Sequence, residues 1–322
     1  MILAAGYGER LWPLTCDRTK PALPVLGKPL VGYVAEYLAR YGIKDVIVNL
    51  HHQPESVRRA LGNGSQFGVR LHYVYEPVIL GTSGALDNAR ELLEDDTFAV
   101  VNGKLITDLD LKAALQTHRQ RQALATLVLL RNPKRERFSI VETRGGLVSN
   151  FAGMPEPSSP DTEPPLMFTG IHILEPRIFE YIPRAVFSDA ITSVYLPAMA
   201  KGERIAAHVA EGTWYELSTL RRYLDISLGL LRQRGENLYA GLNPSIDKGA
   251  EVRDAVLWDD VTVEKGAHVR RAVLGDGVRV PDGELLEDAV VVRAELVAGI
   301  TPPAKALRGH LSGDNFVVPL SQ

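Results

Sequence analysis

The chain has 322 residues, 45% of them hydrophobic and 23% charged, with a formal net charge of −3. That length buries a sizeable core and fits one large domain plus something smaller, while the charge gives no basic field for nucleic acid or for a membrane surface. The single cysteine, Cys16, excludes an internal disulfide, and no apolar run approaches the ~18 residues of a spanning helix, so a cytoplasmic protein is expected.

In chain order, "MILAAG" is a short apolar strand that ends in glycine, without the charged start of a signal peptide. "LVGYVAEYLARYG" carries Leu30, Val34, Tyr37, Leu38 and Tyr41 at helical spacing, with Gly42 placed to close the helix. "DVIVNL" (45–50) reads as a buried strand, "PESVRRALG" (54–62) as a short helix and "VRLHYVYE" (69–76) as an alternating strand. A helix over "GTSGALDNARELL" (81–93) and a strand over "FAVVNG" (98–103) follow. This rhythm predicts βαβ units and a mostly parallel sheet. "FSIVETRGGLVSNF" predicts a hairpin turning at Gly145–Gly146, "MPEPSSPDTEPP" (154–165) a proline-rich loop, and "LMFTGIHIL" (166–174) a further strand.

The pattern changes near residue 243. Ile246, Val252, Trp258, Val263, Val269, Leu274, Val280, Leu286 and Val292 recur at a step of about six, which neither a helix nor a simple strand explains. Hexapeptide spacing predicts a parallel β-helix of about three coils, at roughly 18 residues each, with one apolar residue turned inward per flat side.

The chemistry is expected in the loops. In "LAAGYGERLWPLT" (3–15), Gly6 and Gly8 let backbone N–H groups approach phosphate oxygens, and Arg10 adds a forked cation. The loop is not the dinucleotide fingerprint, because Leu11 stands where a third glycine is needed, and the chain has no P-loop motif. "TKPALPVLGKP" (19–29) holds Lys20 on a segment stiffened by Pro21 and Pro24. Asp108 and Asp110 in "TDLDL" fit helix capping. His51 and His52, adjacent at a strand end, point to opposite faces and do not make a shared metal site.

These segments together resemble the sugar-1-phosphate nucleotidyltransferases. "LAAGYGERLWPLTCDRTKPALPV" is similar to that family's signature, "LGTSGAL" (80–86) to its base-pocket segment, and "FTGIHIL" (168–174) to a sugar-pocket strand. "EGTWYELSTLRRYLDI" (211–226) matches a further motif, and the terminal coils resemble those of the mannose-1-phosphate guanylyltransferase branch. The resemblance implies a Rossmann-like α/β domain over 1–235, a short left-handed parallel β-helix over 243–300 and an irregular tail over 301–322. It implies a reaction joining a nucleoside triphosphate to a sugar 1-phosphate, with an NDP-sugar and pyrophosphate as products. Arg10 and Lys20 would stabilise the phosphates. Leu3, Ala4, Ala5, Gly6, Gly8, Glu9, Glu76, Gly81, Thr82 and Asn102 would bind nucleotide, and Glu142, Thr169 and Gly170 the sugar. Because a carboxylate at Glu76 can accept from the N1–H and N2–H of guanine, GTP is favoured. Assembly through the coils would make a homo-oligomer.

Four positions depart from the family pattern. Lys104 stands where the family has an aspartate that binds Mg²⁺, and an ammonium repels a cation. Glu216 replaces the second metal aspartate and stays a candidate ligand. Met154 occupies the place of a sugar-phosphate lysine, and Glu9 that of a threonine. Two accounts fit: a transferase in which Lys104 supplies a built-in cation, or a degenerate member that binds nucleotide or NDP-sugar as a regulatory or scaffold subunit. The Mg²⁺ that the family implies is in doubt on either account. An acyltransferase built on hexapeptide coils is a third class, but His268 is the only histidine within the repeats.

Overall fold

The computed structural model describes residues 1–155 and 163–321. The chain divides into two compact units, one of Met1–Ala5, Tyr33–His51 and Gly62–Trp214, the other of Gly6–Gly32, His52–Leu61 and Tyr215–Gln322. This differs from a boundary near residue 235, because the glycine-rich loop after the first strand clusters with the C-terminal coils. Packing explains why. Trp12 is buried edge-on to Phe316, with ring centroids 5.2 Å apart, and Gly27 has room only for hydrogen because Tyr239 Oη would lie 2.2 Å from a Cβ there.

The first unit is built on a nine-stranded sheet. Across it lie Arg70–Tyr75, Asp45–Leu50, Ile2–Leu3, Phe98–Asn102, Leu166–Leu174, Ala125–Arg131, Ile205–Val209, Leu147–Ala152 and Ile140–Arg144. The first four run parallel, as their βαβ sequence signals require. The expectation of a mostly parallel sheet fails beyond them. Leu166–Leu174 runs antiparallel to both neighbours, and Leu147–Ala152 is antiparallel to Ile205–Val209 and to Ile140–Arg144. These strands arrive by a hairpin and a loop, without the helical crossover that parallel pairing needs, so the sheet is mixed. The hairpin turns at Gly145 (φ 60°) and Gly146 (φ 79°), as expected, the conformation that lets a two-residue turn match strand twist. The helix expected over 81–93 stops at Asn88 and continues as a 3₁₀ turn, Arg90–Leu92. Of the proline-rich loop, residues 156–162 lie outside the described residues.

The second unit stacks its C-terminal strands in parallel rungs. Glu251 pairs with His268 and His268 with Leu285, a step of 17 residues, close to the spacing read from the sequence. A second ladder joins Ser245–Ile246, Thr262–Val263 and Arg279–Val280. Ala255, Ala272 and Ala289 stack in one inward column and Leu257, Leu274 and Val291 in another, all buried. Each rung turns a corner through one non-glycine residue in the left-handed region: Asp254, Arg271 and Asp288, with φ between 47° and 49°. A penalty on the order of 1–2 kcal/mol at each corner is offset by the buried columns either side. Ile246 is 37% exposed, so the apolar stripe begins only with the next coil. The tail is not irregular: His310–Ser312 and Asn315–Pro319 form a hairpin, and Asn315–Pro319 lies antiparallel on Leu285–Arg293. It covers the edge that the last rung would otherwise leave unpaired. No helix of the described residues is long and apolar enough to cross a membrane.

In the first unit His172 is 3% exposed, with Nδ1 hydrogen-bonded to the Tyr195 hydroxyl, and burial lowers its pKa from 6.5 to about 3. The unfolded chain therefore takes up a proton below pH 6.5 that the folded chain refuses. Stability should fall by about 1.4 kcal/mol per pH unit in that window from this residue alone. Urea unfolding at pH 7.5 and 5.5 should show the loss, and His172→Gln should reduce it. Identical pH dependence in both proteins would contradict this assignment.

Candidate functional site

In the first unit, the end of the opening strand is fixed by a hydrogen-bond relay. The Ala4 N–H donates to Asn49 Oδ1 (2.6 Å), Asn49 Nδ2 donates to Glu76 Oε1 (2.6 Å), and the Leu80 N–H donates to Glu76 Oε2 (3.1 Å). Glu76 is 1% exposed. Both carboxylate oxygens are thus occupied by the protein, and the side chain braces the loop that leads to Gly81. This corrects the expectation that Glu76 faces a base edge, and the guanine preference drawn from it loses its basis. Asn49 went unread in the sequence. Its signal was a polar residue within the apolar run "DVIVNL", which a buried strand tolerates only when it is hydrogen-bonded.

The other residues expected around a nucleotide fall into two groups. Gly81, with φ 77°, passes so near Ser188 that a Cβ would sit 2.5 Å from its carbonyl oxygen. Thr82 is exposed, but its Oγ1 accepts from the Ala190 N–H at 2.7 Å, so its hydroxyl anchors the 188–190 segment. Gly103 abuts the Leu3 carbonyl, and its N–H donates to that oxygen at 2.8 Å. This contact holds the Asn102–Gly103–Lys104 turn beside Leu3, leaving Lys104 half-buried.

Of the sugar residues, Gly170 (φ 81°) packs on the Asn102 side chain, where a Cβ would lie 2.1 Å from Nδ2. Thr169 is buried, and its hydroxyl donates to the Val128 carbonyl (2.7 Å). That side chain is structural, and the sugar role expected for it is not upheld; its own carbonyl accepts from Trp214 Nε1 (3.0 Å). Glu142 is exposed and accepts from Asn150 Nδ2 at 3.2 Å, and Met154 is 52% exposed. Asp110 caps the helix Leu111–Arg121 by accepting from the Lys112 and Ala113 N–H groups. Asp108 accepts from the Thr213 N–H (2.6 Å), so each aspartate has one carboxylate oxygen engaged by backbone.

The second unit contains the glycine loop and lysine segment expected to meet phosphates. Gly8 (φ 71°) precedes the 3₁₀ turn Glu9–Leu11, and a Cβ on it would stand 2.9 Å from Lys20 Cβ. The glycine loop and the lysine segment are therefore packed side by side, with Gly6 and Arg10 exposed and Lys20 half-buried. The Thr19 N–H donates to Ser56 Oγ at 3.1 Å, which fixes the start of the 3₁₀ turn Lys20–Ala22. Glu9 pairs with Lys305 at 3.6 Å. Tyr7, Glu9, Cys16, His52 and Ile300 line a hollow of about 350 Å³ beside this loop. Burial, with the charge of Asp17, pushes the Cys16 thiol up to about 11, so it is not a thiolate at neutral pH. Glu216 is 8% exposed, and its carbonyl accepts from Arg222 Nε at 3.0 Å.

These donors do not fit a two-carboxylate magnesium site. Lys104 brings an ammonium to one position, and among the described residues no group of three or more His, Cys, Asp or Glu side chains is placed to hold a metal.

A family model described as Nucleotidyl transferase matches residues 1–233, and one described as GlmU-like, C-terminal hexapeptide matches 240–297. The chain is 28% identical to a UTP–glucose-1-phosphate uridylyltransferase of Synechocystis, over 82% of this chain and 71% of that protein. It is 33% identical to an N-acetylmuramate alpha-1-phosphate uridylyltransferase of Neisseria meningitidis, over 69% of this chain and 94% of the relative. With a mannose-1-phosphate guanylyltransferase of Mycobacterium tuberculosis it shares 29% identity, over 82% and 80%. A solved putative glucose-1-phosphate thymidylyltransferase from Bacillus anthracis superposes with a TM-score of 0.62 at 25% identity, covering 72% of this chain and 94% of that one.

Glu76→Ala should destabilise the fold by about 2–4 kcal/mol, because it leaves the buried amide of Asn49 and the Leu80 N–H without acceptors. Glu76→Gln should cost less and leave any preference among nucleotides unchanged. A switch of base preference in Glu76→Gln, with little loss of stability, would return this residue to base recognition.

Proposed function

The chain belongs to the nucleotidyl transferase family, and from that premise we propose that it joins a nucleoside triphosphate to a sugar 1-phosphate. A phosphate oxygen of the sugar 1-phosphate attacks the α-phosphorus in line. The bond from that phosphorus to the bridging oxygen of the β-phosphate breaks, and pyrophosphate leaves with the electron pair. No covalent intermediate on the protein is needed. Such chemistry is accelerated by positioning the reactants and by neutralising charge on the phosphates.

The observation that carries this reading is the packing of Gly8 against Lys20. A glycine turn packed on a lysine puts backbone N–H groups and a cationic side chain on neighbouring segments, a combination suited to phosphate oxygens. Lys20 is assigned to the α-phosphate and Arg10 to the β- and γ-phosphates. Leu3, Ala4 and Ala5 are assigned to the base and ribose, which backbone groups can contact once the Asn49–Glu76 relay has fixed their position. Asn102 is assigned to the nucleotide, and Gly170, packed on its side chain, to the sugar. We read the rungs as a left-handed parallel β-helix that supports self-assembly, as in other proteins built of such repeats.

The relatives carry names of uridylyl- and guanylyltransferases, so UTP and GTP are tested first. Lys104 favours a second reading. An ammonium at this turn either takes over charge neutralisation at the α-phosphate, or it marks a subunit that binds nucleotide without turnover. A pyrophosphate-release assay separates them: four NTPs against a panel of sugar 1-phosphates, with and without Mg²⁺, on this protein and on Lys104→Asp. Metal-independent release by the parent chain is expected. Release by Lys104→Asp alone, and only with Mg²⁺, would instead assign the parent to binding.

A further inference from the structure

Lys20 sits in a segment clamped at both ends by side chains from the C-terminal half of the second unit. On one side is Arg18. Its guanidinium lies over the Trp258 ring, 4.9 Å from the centroid, and donates to Asp17 Oδ1 and Oδ2 (2.8 Å each) and to Asp276 Oδ2 (2.5 Å). Burial opposes the charge of Arg18, but the hydrogen bond and charge of Asp17, with the charge of Asp276, outweigh it and keep the guanidinium protonated. Asp276 is itself fixed, since its Oδ1 accepts from the Asp259 N–H at 3.1 Å. On the other side is Pro24, whose carbonyl accepts from the Tyr223 hydroxyl. The two ends meet in one place: Trp258 Nε1 donates to Tyr223 Oη at 2.9 Å.

We propose that Arg18, Trp258 and Tyr223 are positioning residues for Lys20, so that the hexapeptide coils set the geometry of the phosphate-binding lysine as well as any assembly. This rests on the assignment of Lys20 to a phosphate. The chemistry of the clamp is suited to the task. A planar guanidinium on an indole face, forked between two carboxylates, has a direction that a lysine in its place lacks. The stiff segment between the two anchors, with Pro21 and Pro24, passes that direction on to Lys20. Gly8, against which Lys20 packs, is a further contact that would feel any shift.

A double-mutant cycle on the full chain tests this, with GTP and UTP titrated calorimetrically against wild type, Arg18→Ala, Lys20→Ala and the double variant. Arg18→Ala should weaken binding of the preferred triphosphate roughly tenfold, and adding it to Lys20→Ala should change nothing further. Arg18→Lys, a milder change that keeps the charge, should fall between wild type and Arg18→Ala. Hydrogen exchange should rise in residues 19–24 of Arg18→Ala, with the coil rungs as protected as in wild type. Additive losses in the cycle would make Arg18 merely structural and overturn the proposal, as would unchanged affinity in both Arg18 variants. A wild-type chain that binds neither triphosphate overturns the reading of Lys20 itself, and the positioning role falls with it.

Discussion

The loop from Gly6 to Pro29 has almost no secondary structure of its own. It contains two 3₁₀ turns and a two-residue ladder between Pro24–Val25 and Lys28–Pro29. Order there has to come from side chains, and the principal one is Arg18, flat on Trp258 and bonded to Asp17 and Asp276. The acceptors on Arg18 make the burial of its charge tolerable, and its charge in turn makes two carboxylates tolerable side by side. The same loop carries Arg10 and Lys20, the side chains proposed here for the phosphates. A loop with so little backbone structure depends on such side-chain contacts for its shape.

Electrostatics then distinguish this chain from what its family pattern implies. Of the two positions where the family pattern has metal carboxylates, one is a buried glutamate, Glu216, and the other a lysine, Lys104, and Asp108 and Asp110 accept from backbone N–H groups. On the proposed reading, charge on the phosphates is met by the cations Arg10 and Lys20 of the second unit. Cations of this kind are most effective when they are held in place before the substrate arrives. The relay from Ala4 through Asn49 and Glu76 to Leu80 does this for the backbone, using a carboxylate that the protein has fully satisfied.

Much of this could be read from residue patterns. Alternating strand and helix signals located the strands and helices named between residues 30 and 103, and "RGG" located the hairpin, because backbone geometry and local periodicity are properties of short segments. The six-residue step located the rungs for the same reason. What was not legible depended on long-range pairing. The antiparallel insertion of Leu166–Leu174 is set by partners 35 to 76 residues away, from Leu166 on Arg131 to Leu174 on Phe98. Trp258 read as one more inward residue of the repeat, yet it packs on Arg18 and Tyr223, and Leu257 takes the inward place. Glu76 and Thr169 have side chains suited to ligands but are buried and satisfied from within, and a residue type alone does not reveal its exposure. Their backbone neighbours, Ala4, Gly81 and Gly170, keep the glycine and small-residue geometry that the motifs demanded.

A crystal of the full chain grown with a non-hydrolysable GTP or UTP analogue puts the central claim to its most direct test. Density for the phosphates should lie against the N–H groups of the Gly6–Gly8 turn, with Lys20 Nζ and Arg10 within about 3 Å of phosphate oxygens. A nucleotide bound elsewhere, with that turn closed by the protein's own side chains, would contradict the account.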